Sequence, residues 1–218
     1  MRIPDDVISP LMQIFEDFGT SESLENYQDH TSHPAWSESY GRLSDHVKQN
    51  HALDGGEPRV VRLGNSLPGS VTVTKDTVSG QSAIHYVGMH VDSWLDVPLD
   101  EREYSQNRIC INVGRDARQF LFINLGLARM HAILHGTPLA DSAYYGSDLG
   151  HDFMRAYPDY PVVRLTIQPG EAYIAPTENV IHDGSSIGMT CPDLALHMIG
   201  RLAPSAIVHK AVLDRMEL

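Results

Sequence analysis

The stretch RICINVGRDARQFLFIN, residues 108–124, carries the clearest strand signal in this chain. Its two apolar runs, 108–113 and 119–124, are rich in β-branched and aromatic side chains, which is typical of strands. Residues 114–118 between them begin with glycine and contain charged side chains, as turns do. We therefore predict two neighbouring strands joined by a turn.

Further short strand candidates lie on both sides of this pair, and amphipathic helices come before all of them. The strand candidates are 59–63, 71–74, 82–91, 162–167, 172–181 and 194–202, and the helix candidates are 5–18 and 36–50, with a helical or irregular region at 126–156. Helices first and then many short strands favour a mainly β core with packing helices.

The length of 218 residues suits a single domain. We expect a helical packing region at 1–57, a β core at 58–205 and a closing segment at 206–218. No internal repeat or linker divides the chain.

The composition excludes several classes of protein. A formal charge of −12, from 28 acidic and 16 basic residues, argues against binding to a nucleic-acid backbone. The first ten residues contain acids and proline where a signal peptide has an apolar run, and no apolar stretch is long enough for a membrane span. The two cysteines, Cys110 and Cys191, form no CxxC pair, so we expect a reducing, cytoplasmic setting.

His90-Val91-Asp92, together with the distant His182, forms the strongest candidate site. In a strand, residues two apart point to the same face, so His90 and Asp92 would face one ligand together. Two imidazoles and one carboxylate hold iron(II) on one side and leave three positions open. His182 precedes the turn residues Asp183-Gly184, and His197 is an alternative third ligand.

Three segments around these residues resemble the 2-oxoglutarate- and iron(II)-dependent oxygenases. They are MHVDSW at 89–94, PGEAYIAPTENVIHDGSS at 169–186 and ALHMIGR at 195–201. The resemblance implies a double-stranded β-helix, also called a jelly roll or cupin-like fold. It also implies Fe(II) as the metal, held by His90, Asp92 and His182, with 2-oxoglutarate and O2 as cosubstrates.

The resemblance also implies a basic residue after the distal histidine that binds the far carboxylate of 2-oxoglutarate. Arg201 matches this role best, because a guanidinium pairs with a carboxylate through two hydrogen bonds. Its spacing from His182 is longer than is usual in the family, and Arg164 is the runner-up. Ser205 and Asn112 are further candidates for binding the cosubstrate.

The substrate is predicted to be a small molecule, such as an amino acid or a natural-product intermediate. Candidate contacts follow the first two metal ligands, at Trp94, Arg102, Tyr104 and Arg108. In related halogenases the carboxylate ligand is missing, so the presence of Asp92 favours hydroxylation or a related oxidation.

Two rival hypotheses remain open on the sequence. One is a metalloenzyme on a cupin-like barrel that works without 2-oxoglutarate. The other is a jelly roll that binds a ligand and catalyses nothing. A polar triad at strand ends favours a metal centre over a simple binding barrel.

Overall fold

The structure is a computed structural model that describes residues 1–17, 29–53, 56–76, 85–94, 97–137 and 146–205. Its α-helices are α1 (Asp5–Asp17), α2 (Trp36–His51), α3 (Leu127–His135) and α4 (Gly146–Ala156), and a 3-10 helix spans Leu99–Tyr104. Its strands are β1 (Arg59–Ser66), β2 (Lys75–Asp76), β3 (His85–Tyr86), β4 (Asn107–Asn112), β5 (Arg118–Gly126), β6 (Val163–Ile167), β7 (Ala172–Ala175), β8 (Val180–Ser185) and β9 (Asp193–Gly200). None of the helices in the described part of the chain is long and apolar enough to cross a membrane.

The strands form two main antiparallel sheets with interleaved connections. One sheet has the order β1-β9-β4-β7, and the other has the order β6-β5-β8. On the other edge of β8, His90 forms an isolated antiparallel bridge with His182 and so continues the second sheet. Strands β2 and β3 pair with each other in a small separate ribbon.

The pairing is nested along the chain, as in a jelly roll. Strand β1 pairs with β9, the residue His90 pairs with β8, β4 pairs with β7, and β5 pairs with β6. The chain is thus a long antiparallel ribbon whose two halves wind together into two sheets. The predicted class is confirmed as a mainly β fold with N-terminal and inserted helices.

Strands β4 and β5 both form where the opening stretch predicted them, but they do not pair with each other. Strand β4 lies between β9 and β7 in one sheet, whereas β5 lies between β6 and β8 in the other. The side-chain amide of Asn112 closes the corner between them, since its Nδ2 donates to the carbonyls of Asp116 and Ile167, both at 2.9 Å. The predicted hairpin was wrong because sequence periodicity reveals strands and not their partners.

Three other strand predictions need correction. Residues 71–74 form no strand, and β2 begins just after them. Of the predicted strand 82–91, residues 82–84 lie outside the described residues, and strand structure is limited to β3 and the bridge at His90. The predicted strand 172–181 is divided into β7 and β8 at Pro176, which has no N–H for a sheet ladder. The predicted closing segment 206–218 lies outside the described residues.

The N-terminal helices cover the outer face of the first sheet. Alternate residues of β4 and β9 point outward into this core, where they meet one apolar stripe from α1 and another from α2. The buried residues include Ile109, Ile111, Leu196 and Met198 from the sheet, with Ile8, Leu11, Leu43 and Val47 from the helices. The inward-facing side chains of the same strands are therefore left for the space between the sheets.

Helices α3 and α4 cover the outer face of the second sheet near the predicted site. Their buried residues Met130, Leu149 and Phe153 pack with Val91 and Ile181, which are the chain neighbours of the three predicted metal ligands. The contact between α4 and β8 is close at Gly150, where a β-carbon would overlap the side chain of Ile181. This packing fixes the backbone on which the predicted ligands stand.

Candidate metal centre

A two-way backbone bridge brings His90 and His182 side by side. The N–H of each residue donates to the carbonyl oxygen of the other at 2.9 Å. Their imidazole rings lie with centroids 4.5 Å apart. The N–H of Asp92 donates to the carbonyl of Thr177 at 3.0 Å, so the segment that carries Asp92 is tied to the turn before β8.

The three predicted ligands converge on one point between the sheets. His90, Asp92 and His182 each offer a donor atom, and these atoms lie within 4.8 Å of one another. Nε2 of His90 is 3.3 Å from Oδ1 of Asp92, and Nε2 of His182 is 3.6 Å from Oδ2. All three residues are buried, with 8%, 7% and 1% of their surface exposed for His90, Asp92 and His182.

Backbone carbonyls fix the form of both imidazoles. Nδ1 of His90 lies 2.8 Å from the carbonyl oxygen of Gly88, and Nδ1 of His182 lies 3.0 Å from that of Val180. A carbonyl oxygen only accepts, so each Nδ1 carries the proton and each neutral ring keeps a lone pair on Nε2. Metal-binding histidines have this arrangement, because the outer hydrogen bond orients the ring toward the ion.

One unpartnered atom shows that the site suits a cation. Nε2 of His182 is buried and has no hydrogen bond, while Oδ2 of Asp92, 3.6 Å from it, forms an ion pair with Arg108. Buried polar atoms are nearly always satisfied, and a metal ion would satisfy the imidazole nitrogen and the carboxylate at once. The residues therefore fit a divalent metal with two nitrogen ligands and one carboxylate.

The electrostatics of the site favour the protonation states that bind metal. Burial lowers the pKa of His182 to about 3, even though the Asp92 carboxylate acts in the opposite direction. Burial by itself would raise the pKa of Asp92, but Arg108 and the two imidazoles together hold it well below the usual value of 3.8. At neutral pH the site thus holds a neutral imidazole at His182 and an ionised carboxylate.

The lowered pKa of His182 predicts an acid-sensitive metal-free protein. Below pH 6.5 the unfolded chain protonates this histidine while the folded chain does not, so stability is lost as the pH falls toward about 3. Between pH 6.5 and about 4.5 this loss amounts to about 2 kcal/mol. Urea unfolding of the metal-free protein across this range measures it, and His182→Asn should show a shallower slope. Equal slopes in the two proteins would contradict the assignment.

Arg102 fastens the segment that carries Asp92. Its guanidinium donates to the carbonyls of Asp92 at 3.0 Å, Glu178 at 3.3 Å and Val97 at 3.0 Å, and to Oγ of Ser93 at 3.1 Å. Arg102 is buried, and its carbonyl partners belong both to the segment after Asp92 and to the turn before β8. Arg102, which was predicted to contact substrate, therefore acts as a clamp, because it joins the segment that carries Asp92 to the turn before β8.

Arg102→Ala is expected to weaken both the fold and the metal site. It leaves buried carbonyls without donors, at a cost of about 3 kcal/mol in the free energy of unfolding, and it loosens Asp92 enough to lower metal affinity about tenfold. Urea unfolding and cobalt(II) titration measure the two effects. Arg42→Ala is the control, since Arg42 is exposed and pairs with Glu38 one helical turn away. Matching behaviour of the two variants would count against the clamp.

A cavity of about 180 Å³ opens beside the metal centre between the two sheets. Its lining residues are Leu63, Gly64, Asn65, Ser66, Val73, Thr74, His90, Arg108, Arg118, Tyr173, His182, Gly184, Asp193 and His197. The lining includes two buried arginines, Arg108 and Arg118, which suits an anionic ligand.

Arg118 is the buried cation at the far end of this cavity. Its Nε is 2.9 Å from Oδ1 of Asp193, its Nη2 donates to Oδ2 at 3.1 Å, and its Nη1 donates to Sγ of Cys110 at 2.7 Å. A β-carbon at Gly184 would lie 3.3 Å from Nη2. Gly184 is two residues beyond His182 on β8, or about 7 Å along the strand.

Arg108 is the second buried cation and stands at the metal end. Its Nη1 lies 2.9 Å from Oδ2 of Asp92, the same oxygen that faces His182. Tyr173 lines the same cavity, and its ring stacks on Phe120 with centroids 4.0 Å apart. Burial raises the pKa of the Tyr173 phenol, so the hydroxyl stays protonated at neutral pH.

The structure does not bring the predicted cosubstrate residues to this cavity. Arg201 is exposed and lines a separate surface pocket, together with the exposed Tyr104. The runner-up Arg164 is exposed on β6. Asn112 is fully buried, but its amide serves the corner after β4, and Ser205 lies half-buried beyond β9.

Two other predicted residues lie near the metal centre in different ways. Trp94 is half-buried, and its backbone N–H donates to Oε1 of the buried Glu178 at 2.6 Å. His197, the alternative ligand, lines the cavity but stands outside the group of three converging donors.

The sequence reasoning missed Arg118, Tyr173 and Asp193. Each carries a polar group within, or at the start of, an otherwise apolar strand, and strand alternation places each on the inner face. For Arg118 and Asp193 the usable signal was two opposite charges at the first positions of apolar strands, because such charges are buried only as a pair.

No family model matches the chain. No curated protein matches it either.

Several solved structures are similar to this chain at low identity. One is the Kdo hydroxylase KdoO, a non-heme Fe(II) alphaketoglutarate-dependent dioxygenase, in complex with alphaketoglutarate and Fe(III). The identity is 12%, the match covers 86% of this chain and 67% of that chain, and the TM-score is 0.44. The same hydroxylase with succinate and Fe(III) gives 14% identity, the same coverage of this chain, 66% of the other and a TM-score of 0.43. With cobalt(II) it gives 13% identity and a TM-score of 0.43. This chain thus spans about two thirds of the length of these neighbours.

Proposed function

We propose that this protein is an iron(II)- and 2-oxoglutarate-dependent dioxygenase that hydroxylates a small molecule. The observation that carries the proposal is the convergence of three buried donor atoms from His90, Asp92 and His182, of which Nε2 of His182 has no hydrogen bond. A ligand set of two imidazoles and one carboxylate on a face suits non-heme iron(II) that activates oxygen.

The residues divide the work of the proposed reaction. When bound, iron supplies the oxidation chemistry, in which one oxygen atom enters the substrate and the other enters succinate as 2-oxoglutarate loses CO2. His90 and His182 hold the metal through rings that backbone carbonyls orient. The two sheets and the helices outside them keep water from the reacting groups.

Arg118 is the proposed anchor for the far carboxylate of 2-oxoglutarate. It lies on β5, opens into the same cavity as the triad, and stands beside Gly184, two residues past a metal ligand. A five-carbon diacid that chelates the metal by its keto-acid end would extend toward this guanidinium. Arg201 and Arg164 are both exposed and line no part of this cavity.

The charge balance of the site supports a dianionic cosubstrate. The buried charges of Asp92, Asp193, Arg108 and Arg118 cancel in the metal-free protein. A divalent metal adds two positive charges, and buried charges require compensation. A dianion such as 2-oxoglutarate restores neutrality.

The cavity sets a size limit on the substrate. A volume of about 180 Å³ is small compared with the ~300–1,000 Å³ of typical ligand pockets. After a cosubstrate binds, only a small molecule or a small part of one reaches the metal. An amino acid or a natural-product intermediate meets this limit.

A metalloenzyme that works without 2-oxoglutarate is the second candidate. It is supported by the ion pair of Arg118 with both carboxylate oxygens of Asp193. The guanidinium of the proposed anchor therefore already has an anionic partner before any cosubstrate binds. In that case metal binds, but 2-oxoglutarate has no effect on activity.

A succinate-release assay with iron(II), 2-oxoglutarate and a panel of amino acids and small metabolites tests the proposal. We expect succinate to form with at least one compound and to depend on added iron. The Asp92→Ala protein is the control, because it lacks the carboxylate ligand. Substrate turnover that needs iron but is independent of 2-oxoglutarate would support the second candidate instead.

A further inference from the structure

Arg108 and the predicted metal ion compete for the same carboxylate oxygen. The guanidinium of Arg108 stands 2.9 Å from Oδ2 of Asp92, and Nε2 of His182 stands 3.6 Å from this same oxygen. The side chains of Arg108 and Asp92 are both 7% exposed. In the metal-free site, then, an arginine cation takes the place beside Asp92 that a metal cation would need.

Binding of a metal would leave Arg108 without its anion. Asp92 would then direct its charge to the metal, and the added positive charge would repel the guanidinium. Among the described residues lining the cavity, the one acid is Asp193, which is already held by Arg118 through two contacts. A buried arginine charge requires a partner, and Nε of Arg108 has no hydrogen bond.

We propose that Arg108 changes partners when metal binds. It pairs with Asp92 in the metal-free protein, and it pairs with a carboxylate of a metal-bound ligand once the metal takes Asp92. This inference rests on the metal site of the proposed function, but it does not depend on 2-oxoglutarate being the ligand. The carboxylate comes either from the cosubstrate or from the substrate.

The exchange couples two binding events through one side chain. Before metal binds, Arg108 is occupied and the cavity has little attraction for a carboxylate. After metal binds, the same cation is released toward the cavity that it lines together with Tyr173. The carboxylate therefore binds after the metal, and its affinity depends on Arg108.

A permanent structural role for Arg108 makes the opposite prediction for metal affinity. If Arg108 only holds Asp92 in place for the metal, its removal weakens metal binding. If Arg108 competes with the metal, its removal strengthens metal binding, because a repelling charge is gone. The sign of the change separates the two roles.

Cobalt(II) and oxalate are suitable probes. Oxalate binds metals through its carboxylates, and it cannot replace 2-oxoglutarate in turnover. At about pH 8, where both proteins hold an ionised Asp92, Arg108→Gln should bind cobalt(II) alone about tenfold more tightly than the original protein. The cobalt-loaded variant should bind oxalate at least about tenfold more weakly. Arg42→Gln, which changes an exposed arginine on α2, should alter neither affinity.

Weaker cobalt(II) binding by Arg108→Gln, or unchanged oxalate binding, would overturn the proposal. If the glutamine variant fails to fold, Arg108→Lys is the substitute, because it keeps the buried positive charge. Lysine lacks the planar fork that holds a carboxylate by two hydrogen bonds, so its oxalate affinity should lie between that of the original protein and that expected for Arg108→Gln. An oxalate affinity equal to that of the original protein would again contradict the exchange.

The same titrations with 2-oxoglutarate and with candidate substrates identify the source of the carboxylate. Dependence on Arg108 for 2-oxoglutarate assigns the cosubstrate, and dependence only for a substrate acid assigns the substrate. If the protein binds oxalate through Arg108 but never binds 2-oxoglutarate, the proposed function fails while this inference stands.

Discussion

His182→Ala is expected to abolish metal binding and all iron-dependent activity. The substitution removes one of three ligands from a site with no spare donor among the converging group. Loss of a direct ligand exceeds the 10–100-fold effects of removing outer partners, so cobalt(II) affinity should fall by more than about 100-fold. Titration followed by the visible spectrum of bound cobalt measures the change.

Two histidine controls sharpen this result. His135→Ala changes an exposed histidine on α3 and should leave cobalt(II) affinity unchanged. His197→Ala changes the alternative ligand, which lines the cavity but lies outside the triad, and should retain metal binding. If His197→Ala lost metal binding and His182→Ala retained it, His197 would be the third metal ligand and His182 would not.

The paired substitution Arg118→Gln with Asp193→Asn is expected to weaken 2-oxoglutarate binding by about 100-fold while metal affinity is kept. Changing both residues avoids leaving a lone buried charge, which would itself destabilise the protein by about 3–5 kcal/mol. Calorimetric titration of the manganese-loaded protein with 2-oxoglutarate measures the effect. The free energy of unfolding in urea confirms that the variant remains folded.

Arg201→Ala is the matched comparison, because the resemblance to the oxygenase family favoured Arg201 as the anchor. Arg201 is exposed and lines a different pocket, so its removal should leave 2-oxoglutarate affinity unchanged. A large loss in Arg201→Ala and none in the paired variant would restore the prediction made from sequence.

The sequence predicted the elements of this fold much better than their arrangement. The apolar stripe of α1 and the apolar runs of β4 and β5 are local patterns, and those elements form close to where they were expected. The partners of β4 and β5 depend on where a corner turns, and Asn112 makes that corner through contacts with residues as distant as Ile167. No local pattern encodes such a contact.

The candidate site could likewise be predicted only where its residues form a local pattern. The triad could be predicted because His90 and Asp92 are two residues apart and His182 precedes the turn residues Asp183-Gly184. Arg118 was not readable as an anchor, because its place beside Gly184 depends on the pairing of β5 with β8. Arg102 has no local signal for its clamp, since its carbonyl partners lie on two separate segments.

The most direct test of the account is the visible spectrum of the protein mixed with iron(II) and 2-oxoglutarate in the absence of oxygen. A 2-oxo acid that chelates iron(II) gives a charge-transfer band, and neither iron(II) nor 2-oxoglutarate alone with the protein gives one. We expect the band to appear in the original protein and to be missing in Asp92→Ala. A folded protein that binds iron(II) and shows no band when 2-oxoglutarate is added would contradict the proposed function.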